Sequence, residues 1–467
     1  MQKSEYEVMG TMHKLMRYIK GYEKQAVLAP LFKMLEATFE LFVPLVVASI
    51  IDTGIKNGDA VFIWQRCGLL VLLAAIGLTC SLTAQYFSAK AALGFGTALR
   101  KDLFRHINTL SYSELDGIGT PTLVTRMTSD INQVQNGVNL TLRLLLRSPF
   151  IVIGALIMAY TISPRLTLLF VAATVVISLI IYLIMRATVP IYHDAQNGLD
   201  KVTLLTRENY VGARVVRAFS RQADELAAFV ETNDHLRNIQ TMAGLISALM
   251  NPLTYLVINL AIIALLLRGS HEVNNGALTQ GEIIALINYM NQILVSLLRL
   301  ADLVISVTRA LASGMRVNEI LNTHTTMPDP QAEELAADSA APAVDFADVT
   351  FTYRGAGAPS LTDVSFTAKA GETIGVIGGT GSGKSTLIDL VCRFYDATAG
   401  TVSLFGHNVK EYGFAQLRHM VGIVPQQAVL FTGTIRDNMC WAAPDATDEE
   451  IWQALEIAQA ADFVRTK

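Results

Sequence analysis

Residues Leu166 to Met185 read LTLLFVAATVVISLIIYLIM, which is twenty consecutive residues without a charged side chain. As a helix rising about 1.5 Å per residue, this stretch spans the roughly 30 Å hydrocarbon core of a bilayer. Buried helices of soluble proteins rarely run so long without a charge. The stretch therefore predicts a membrane-crossing helix.

Similar apolar runs lie on both sides of it within the first 312 residues. Gln25 to Ile51 is apolar apart from three charged residues, and Asn238 to Leu267 is longer and uncharged. The shorter runs are Gly68 to Ala84, Pro149 to Ser163 and Ile283 to Leu298. We therefore predict an all-α domain of six transmembrane helices at residues 25–321, preceded by a cytoplasmic segment at residues 1–24.

The links between these runs indicate their orientation. Three links are short, whereas the two others stay polar, charged and helix-prone for about fifty residues. The long links are rich in arginine, and the N-terminal segment contains Lys14, Arg17, Lys20 and Lys24. Because positive residues favour the cytoplasmic side, we expect both termini and both long links there, in a multi-pass protein of the cell membrane.

Composition agrees with a membrane protein and excludes other classes. Charged residues make up 16% of the 467 residues, against about 25% in soluble proteins. The formal net charge is −4, so we expect no nucleic-acid partner of the kind that binds through a basic surface. The four cysteines show no CxxC spacing, which excludes a disulfide scaffold or a zinc module.

The character of the chain changes after residue 321. Residues 322–343 are rich in Pro, Asp, Ala and Thr and have no apolar periodicity, which predicts a linker. The segments VDFADVTFTY, LTDVSFTA and ETIGVIG then follow, each with the β-branched and aromatic residues typical of strands. We predict a partial α/β domain at residues 344–467.

A glycine-rich motif follows the third predicted strand. Residues 378–386 read GGTGSGKST and fit the P-loop pattern G-x-x-x-x-G-K-[ST], between the apolar Thr373 to Ile377 and a helical pattern. Glycines let backbone N–H groups surround phosphates, and the helix N-terminus adds a positive dipole. Lys384 can then reach the β- and γ-phosphates, and the Ser385 hydroxyl can bind Mg²⁺. The predicted cofactor-binding residues are Gly378, Gly379, Thr380, Gly381, Ser382, Gly383, Lys384, Ser385 and Thr386.

The six predicted helices followed by a P-loop domain resemble an ABC exporter half-transporter of the multidrug-resistance type, over essentially the whole chain. Tyr353, in FTYRG, resembles the aromatic residue that stacks on adenine in this family. Gln426, in IVPQQAVLFTGTIRDN, resembles the Q-loop glutamine that helps to hold Mg²⁺ and the attacking water, and Gln427 is the weaker match. The resemblance implies ATP and Mg²⁺ as cofactors, Lys384 and Gln426 as catalytic residues, and Ser385 and Gln426 as metal ligands.

The two long links also resemble this family. The stretch SYSELDGIGTPTLVTRMTSDI resembles the first intracellular loop, and ENYVGARVVRAFSRQADE resembles the second. The resemblance implies a short coupling helix in each that docks on a nucleotide-binding domain. The alternative is that each link is a solvated amphipathic helix.

The resemblance implies a subunit that couples ATP binding and hydrolysis to outward transport of small amphipathic or drug-like compounds across the cytoplasmic membrane. Its partners would be a second, identical or different half-transporter, membrane lipid and the transported molecule. One alternative is the same machine exporting a lipid, a peptide or a siderophore-like compound. Another is a module gated by nucleotide without transport.

Two carboxylates lie within the first predicted membrane helix. Glu36 and Glu40 are four residues apart, and Lys33 precedes Glu36 by three, so all three share one helix face. Charges at this depth usually face a bundle interior or a water-filled cavity. One hypothesis is that the acidic face lines the transport path and favours cationic or amphipathic substrates. The other is structural: these charges neutralise one another or lie at the wall of a water-filled vestibule.

The family's LSGGQ signature and the Walker B Asp with its catalytic Glu find no match after Gln426. We therefore expect a chain truncated within the nucleotide-binding domain. Residues 1–467 would supply the P-loop half of an ATP site and would not hydrolyse ATP alone.

Overall fold

The computed structural model describes residue 10 and residues 14–330, 334–338 and 340–466. Parts of the predicted N-terminal segment and of the predicted linker lie outside these described residues. The chain forms two compact units. The first is Met1–Leu110 with Glu114–His324, and the second is Ser111–Ser113 with Thr325–Lys467.

Helices make up the first unit, and it contains no strand among its described residues. A 3₁₀ turn at Arg17–Ile19 comes first, and π-helical turns at Ile50–Ile55 and Arg126–Asp130 follow α1 and α4. The α-helices are α1 Glu23–Ser49, α2 Ala60–Ile107, α3 Tyr112–Ile118, α4 Thr120–Thr125, α5 Ile131–Leu144, α6 Arg147–Ile162, α7 Pro164–Val211, α8 Ala213–Ala218, α9 Gln222–Ala248, α10 Met250–Asn274 and α11 Gln280–Leu321.

Five helical stretches in the described part of the chain are long and apolar enough to cross a membrane: Glu23–Ile55, Ala60–Ile107, Thr120–Ile162, Pro164–Val211 and Gln222–Asn274. They contain five of the six predicted runs. The sixth run lies in α11, whose inner face supplies much of the unit's core. This run includes Asn288, Asn291 and Gln292, and polar side chains of this kind are tolerated on an inner helix. The sixth crossing stays a prediction.

Two helices extend well beyond the predicted apolar runs. Both α2 and α7 contain 48 residues, so each is about 72 Å long, more than twice the hydrocarbon thickness. The polar links are thus largely continuations of membrane helices. The short helices α3 and α8 lie where the family resemblance placed coupling helices; their docking stays a prediction.

Side-chain caps fix the starts of the long helices. The Asp59 carboxylate accepts a hydrogen bond from the Phe62 N–H, and the Ser163 hydroxyl accepts one from the Leu166 N–H. Such bonds satisfy backbone donors that a helix start leaves free. The predicted run Asn238 to Leu267 is divided at Leu249, between α9 and α10, where Pro252 lies in the first turn of α10. Proline lacks an N–H, and in the first turn of a helix no backbone hydrogen bond is lost by its absence.

The second unit contains a four-stranded antiparallel sheet in the order β2-β1-β3-β4. Its strands are β1 Val344–Phe351, β2 Leu361–Ala368, β3 Ala399–Leu404 and β4 His407–Asn408. Its helices are α12 Lys384–Val391, α13 Phe414–Met420, α14 Ile435–Met439, α15 Asp448–Ile457 and α16 Ala461–Arg465. The first two predicted strands match β1 and β2.

The prediction of a third strand at Thr373 to Ile377 is wrong. Thr373 to Ile377 is irregular and pairs with no strand among the described residues, and Ile377 is 98% exposed. An apolar β-branched sequence favours extended backbone, but a strand also requires a neighbour for its N–H and C=O groups.

Part of the predicted linker is hydrogen-bonded to the second unit. Gln416, on α13, donates from Nε2 to the Leu335 carbonyl at 2.6 Å and accepts from the Leu335 N–H at 3.2 Å. The Asp329 carboxylate accepts a bond from the Phe414 N–H at 2.8 Å. The linker bounds 322–343 stay a prediction, and these residues are held in place rather than free.

Candidate functional site

The P-loop, residues 378–386, begins in an irregular segment and ends in the first turn of helix α12. Gly381 and Gly383 have φ of 82° and 84°, a left-handed conformation that L-residues adopt only with strain. A Cβ built on Gly383 would lie 2.7 Å from both the Ser360 carbonyl oxygen and Leu361 Cδ2. The sequence therefore needs glycine at this position for two independent reasons.

Lys384 is folded back over this loop. Its Nζ donates hydrogen bonds to the carbonyls of Gly378 and Gly379 at 2.8 and 2.6 Å, and it lies 3.4 Å from Ser382 Oγ. The ammonium group consequently lies beside the glycines that are predicted to surround phosphates.

Tyr353 contacts helix α12, which begins within the P-loop. Its hydroxyl lies 3.0 Å from Thr386 Oγ1, and its ring makes edge contacts with Phe351 and Tyr395. Thr386 is 6% exposed, whereas Ser385 is exposed. Of these two predicted binding residues, Ser385 is accessible to solvent, and buried Thr386 contacts Tyr353 from α12.

Gln426 lies in an exposed irregular segment. Its side chain makes no hydrogen bond within the described part of the chain, and the same is true of Gln427. Among the described residues, no group of three or more His, Cys, Asp or Glu side chains is placed to hold a metal. A magnesium ion bound between Ser385, Gln426 and a nucleotide stays a prediction.

The P-loop residues fit the phosphates of ATP. A Cβ at Gly379 or Gly381 would meet nothing within 4 Å, so the loop backbone is open on that side. Backbone N–H groups, the Lys384 ammonium and the Ser385 hydroxyl supply the donors and the metal ligand that a triphosphate requires. These residues would hold the nucleotide, and Mg²⁺ would neutralise its phosphate charge.

The charged residues of α1 form a network in the first unit. Lys33 Nζ donates to Glu36 Oε2 at 2.5 Å and to Ser81 Oγ at 3.0 Å. Arg147 Nη2, at the start of α6, donates to Glu40 Oε2 at 2.6 Å and lies 3.8 Å from Glu36 Oε1. Lys33 and Arg147 are each 6% exposed. Each of the two predicted substrate-path carboxylates is thus paired with a buried cation.

These residues line a cavity of about 680 Å³ in the first unit. Its charged lining residues are Lys33, Glu36, Glu40, Arg143, Arg147 and Arg299. Glu40, Arg147 and Arg299 also line an adjoining hollow of about 270 Å³. Both predicted carboxylates therefore face a cavity and are also paired, so the two hypotheses for them are not exclusive.

Sequence reasoning missed Arg143, Arg147 and Arg299 as lining residues. A usable signal was present, because Arg143 and Arg147 are four residues apart just before the apolar run Pro149 to Ser163. Two arginines on one helix face beside a membrane segment can reach either the membrane interface or an interior cavity, so the sequence alone marked them as candidates only.

Two family models match the chain. The ABC transporter transmembrane region matches residues 27–297, and the ABC transporter model matches residues 361–467. An uncharacterized ABC transporter ATP-binding protein of Mycobacterium tuberculosis is 34% identical over 455 residues, covering 97% of this chain and 78% of that protein.

Two further relatives have names that mention a cargo. A fatty acid ABC transporter ATP-binding/permease protein of Mycobacterium tuberculosis is 30% identical, over 79% of this chain and 58% of that protein. A multidrug efflux ATP-binding/permease protein of Mycobacterium bovis is 29% identical, over 94% of this chain and 37% of that protein. With a helical membrane unit and a P-loop unit fused in one chain, the protein belongs to the ABC transporter family.

Proposed function

We propose that this chain is a half-transporter subunit that uses ATP binding and hydrolysis to move small amphipathic molecules outward across the cell membrane. The observation that carries the proposal is the P-loop with left-handed Gly381 and Gly383 beside Lys384, in a chain with at least five membrane-length apolar helices.

Three roles are proposed at the nucleotide site: described contacts support the first and the last, and the Mg²⁺ role of Gln426 rests on the family resemblance. The P-loop N–H groups and Lys384 hold the phosphates, Ser385 and Gln426 bind Mg²⁺, and Tyr353 stacks on the base. The Tyr353–Thr386 contact supports the last role, because it fixes the aromatic ring beside the helix that begins at Lys384.

The assembly we propose is a pair of half-transporters, either identical or different, with both termini and the nucleotide-binding domain in the cytoplasm. The positive N-terminal segment and the arginine-rich links support this orientation. Both relatives with a named cargo, a fatty acid in one and drugs in the other, have names that fit an amphipathic substrate. Lipid, peptide and siderophore-like cargoes are the alternatives, and nucleotide gating without transport is a further one.

Equilibrium ATP binding to the purified protein in lipid nanodiscs tests the nucleotide site. We expect saturable binding that Lys384→Ala weakens by about a hundredfold, since a charge-assisted contact to phosphate contributes up to about 3 kcal/mol. Lys369→Ala is the matched control, because Lys369 is an exposed lysine of the same unit outside the P-loop. Equal affinity in Lys384→Ala and Lys369→Ala would overturn the assignment.

Hydrolysis is tested separately from binding. ATPase activity of the protein assembled with its partner subunit should require Mg²⁺ and be lost in Lys384→Ala, because Lys384 is placed to contact the phosphates. Activity that persists in Lys384→Ala would contradict the catalytic role of Lys384 and leave the binding assignment intact.

A further inference from the structure

We propose that the cavity beside α1 accepts an amphipathic anion, such as a fatty carboxylate. It disfavours cations, although the carboxylates Glu36 and Glu40 would by themselves attract them. The inference rests on the proposed function and takes this cavity as part of the transport path, so it names the class of molecule carried.

The charge of the cavity lining is the first argument. Lys33, Arg143, Arg147 and Arg299 face two carboxylates, Glu36 and Glu40. The lining therefore has an excess of two positive charges. Arg143 lies just before the apolar run Pro149 to Ser163, and Arg299 lies just after the run Ile283 to Leu298. A bound anion would offset their charge at the edge of these membrane segments.

The pairing within the lining is the second argument. Lys33 holds Glu36 at 2.5 Å and Arg147 holds Glu40 at 2.6 Å, so both carboxylates are neutralised by buried cations. Arg143 and Arg299 form no ion pair within the described part of the chain. The uncompensated charge thus belongs to these two arginines.

Two unsatisfied donors in the lining, one of them on Arg143, are the third observation. The Nε atoms of Arg143 and Arg147 are buried and have no hydrogen-bond partner among the described residues. Buried donors of this kind normally find an acceptor. A guanidinium group pairs with a carboxylate through two parallel hydrogen bonds. A carboxylate bound to Arg143 would therefore satisfy both its unpaired Nε–H group and its unpaired charge.

The remaining walls are suited to an alkyl chain. Phe39, Val43, Leu73, Leu78 and Leu144 line the same cavity. Its volume of about 680 Å³ lies within the usual range for small-molecule pockets. An apolar wall with a few convergent cationic groups is the recognition pattern for an amphipathic anion.

A cation would meet the opposite environment. Glu36 and Glu40 already accept hydrogen bonds from Lys33 and Arg147, so a cationic ligand would compete with these partners for the carboxylates. It would also lie near Arg143 and Arg299 with no free carboxylate in the lining to offset them.

Binding of radiolabelled laurate to the protein in phosphatidylcholine nanodiscs tests this inference, with empty nanodiscs as background. The comparison probes are methyl laurate, which is uncharged, and dodecyltrimethylammonium, which is a cation with a similar chain. We expect saturable laurate binding at least about tenfold tighter than that of either comparison probe, because one charge at contact distance contributes on this scale.

Variants assign the effect to the two arginines. Arg143→Gln with Arg299→Gln should weaken laurate binding by about tenfold or more, whereas the corresponding double lysine variant should retain it. Arg186→Gln, an exposed arginine of α7 outside the cavity, is the control. The inference is overturned if the cation binds more tightly than laurate, or if the double glutamine variant binds laurate as the Arg186 control does.

The anion could be a free carboxylate or the headgroup of an anionic lipid. Nanodiscs containing phosphatidylglycerol separate these sources: displacement of laurate identifies bilayer lipid as a competing ligand, and undiminished laurate binding identifies the free carboxylate. These assays contain no nucleotide. Their failure would leave the ATP-site assignment untouched, and loss of the ATP site would leave the anion preference standing.

Discussion

The P-loop and the α1 cavity both position cationic side chains, and they do so over different distances along the chain. Lys384 is held by groups two to six residues away. Arg147 is paired with Glu40, 107 residues away, and Lys33 with Ser81, 48 residues away. A site built by one short segment can be recognised from a motif, whereas a site assembled from several helices becomes visible only in the fold.

Breaking the assembled network should have the largest effect on stability. Arg147→Ala removes the partner of Glu40 and a close neighbour of Glu36, and breaking a buried pair costs about 3–5 kcal/mol. We expect about 3 kcal/mol, because the Glu40 side chain is 41% exposed. Thermal unfolding in detergent measures it. Arg186→Ala should change stability by less than about 0.5 kcal/mol, and equal losses in the two variants would contradict the network.

A substitution in the P-loop should lower the unfolding free energy by a smaller amount. Gly383→Ala forces a side chain into a left-handed conformation and against Ser360 and Leu361, so we expect a loss of about 2 kcal/mol in unfolding free energy. Urea unfolding of the second unit, followed by tryptophan fluorescence, measures it. Gly357→Ala is the control because a Cβ there meets nothing within 4 Å and φ is not left-handed. A neutral Gly383→Ala would contradict the described loop.

Substitutions of Tyr353 separate the contribution of its ring to ATP affinity from that of its hydroxyl. Tyr353→Ala removes the predicted stacking surface and should weaken ATP binding by about tenfold, as loss of one base–aromatic contact does. Tyr353→Phe keeps the ring and loses only the contact with Thr386, so ATP affinity should stay within about threefold. Equal losses in the two variants, measured by titration with ATP, would assign the effect to the hydroxyl.

The smallest effect concerns Cys392, which directly follows α12. Burial, with a further contribution from the Asp389 charge, raises the pKa of its thiol above the ordinary value. Since the thiolate is the nucleophile, N-ethylmaleimide should label Cys392 at neutral pH at least about tenfold more slowly than the less buried Cys440. Raising the pH should increase the Cys392 rate as its thiol ionises; equal rates at neutral pH would contradict the described burial.

The fold class and the position of the glycine-rich loop before a helix followed largely from the sequence. Uncharged runs such as Leu166 to Met185 predict their own helices, and the P-loop pattern fixes its own backbone. The prediction of a strand at Thr373 to Ile377 was wrong because strand formation depends on a neighbouring strand, which the local sequence does not specify. Arg299 could not be assigned to the cavity because its surroundings come from helices distant in the chain.

Transport measured in inside-out membrane vesicles that contain the protein and its partner subunit tests the central claim most directly. We predict laurate uptake that requires ATP and Mg²⁺ and is lost both in Lys384→Ala and in the Arg143→Gln, Arg299→Gln variant, while the latter still binds ATP. Uptake that persists in Lys384→Ala, or that needs no ATP, would contradict it.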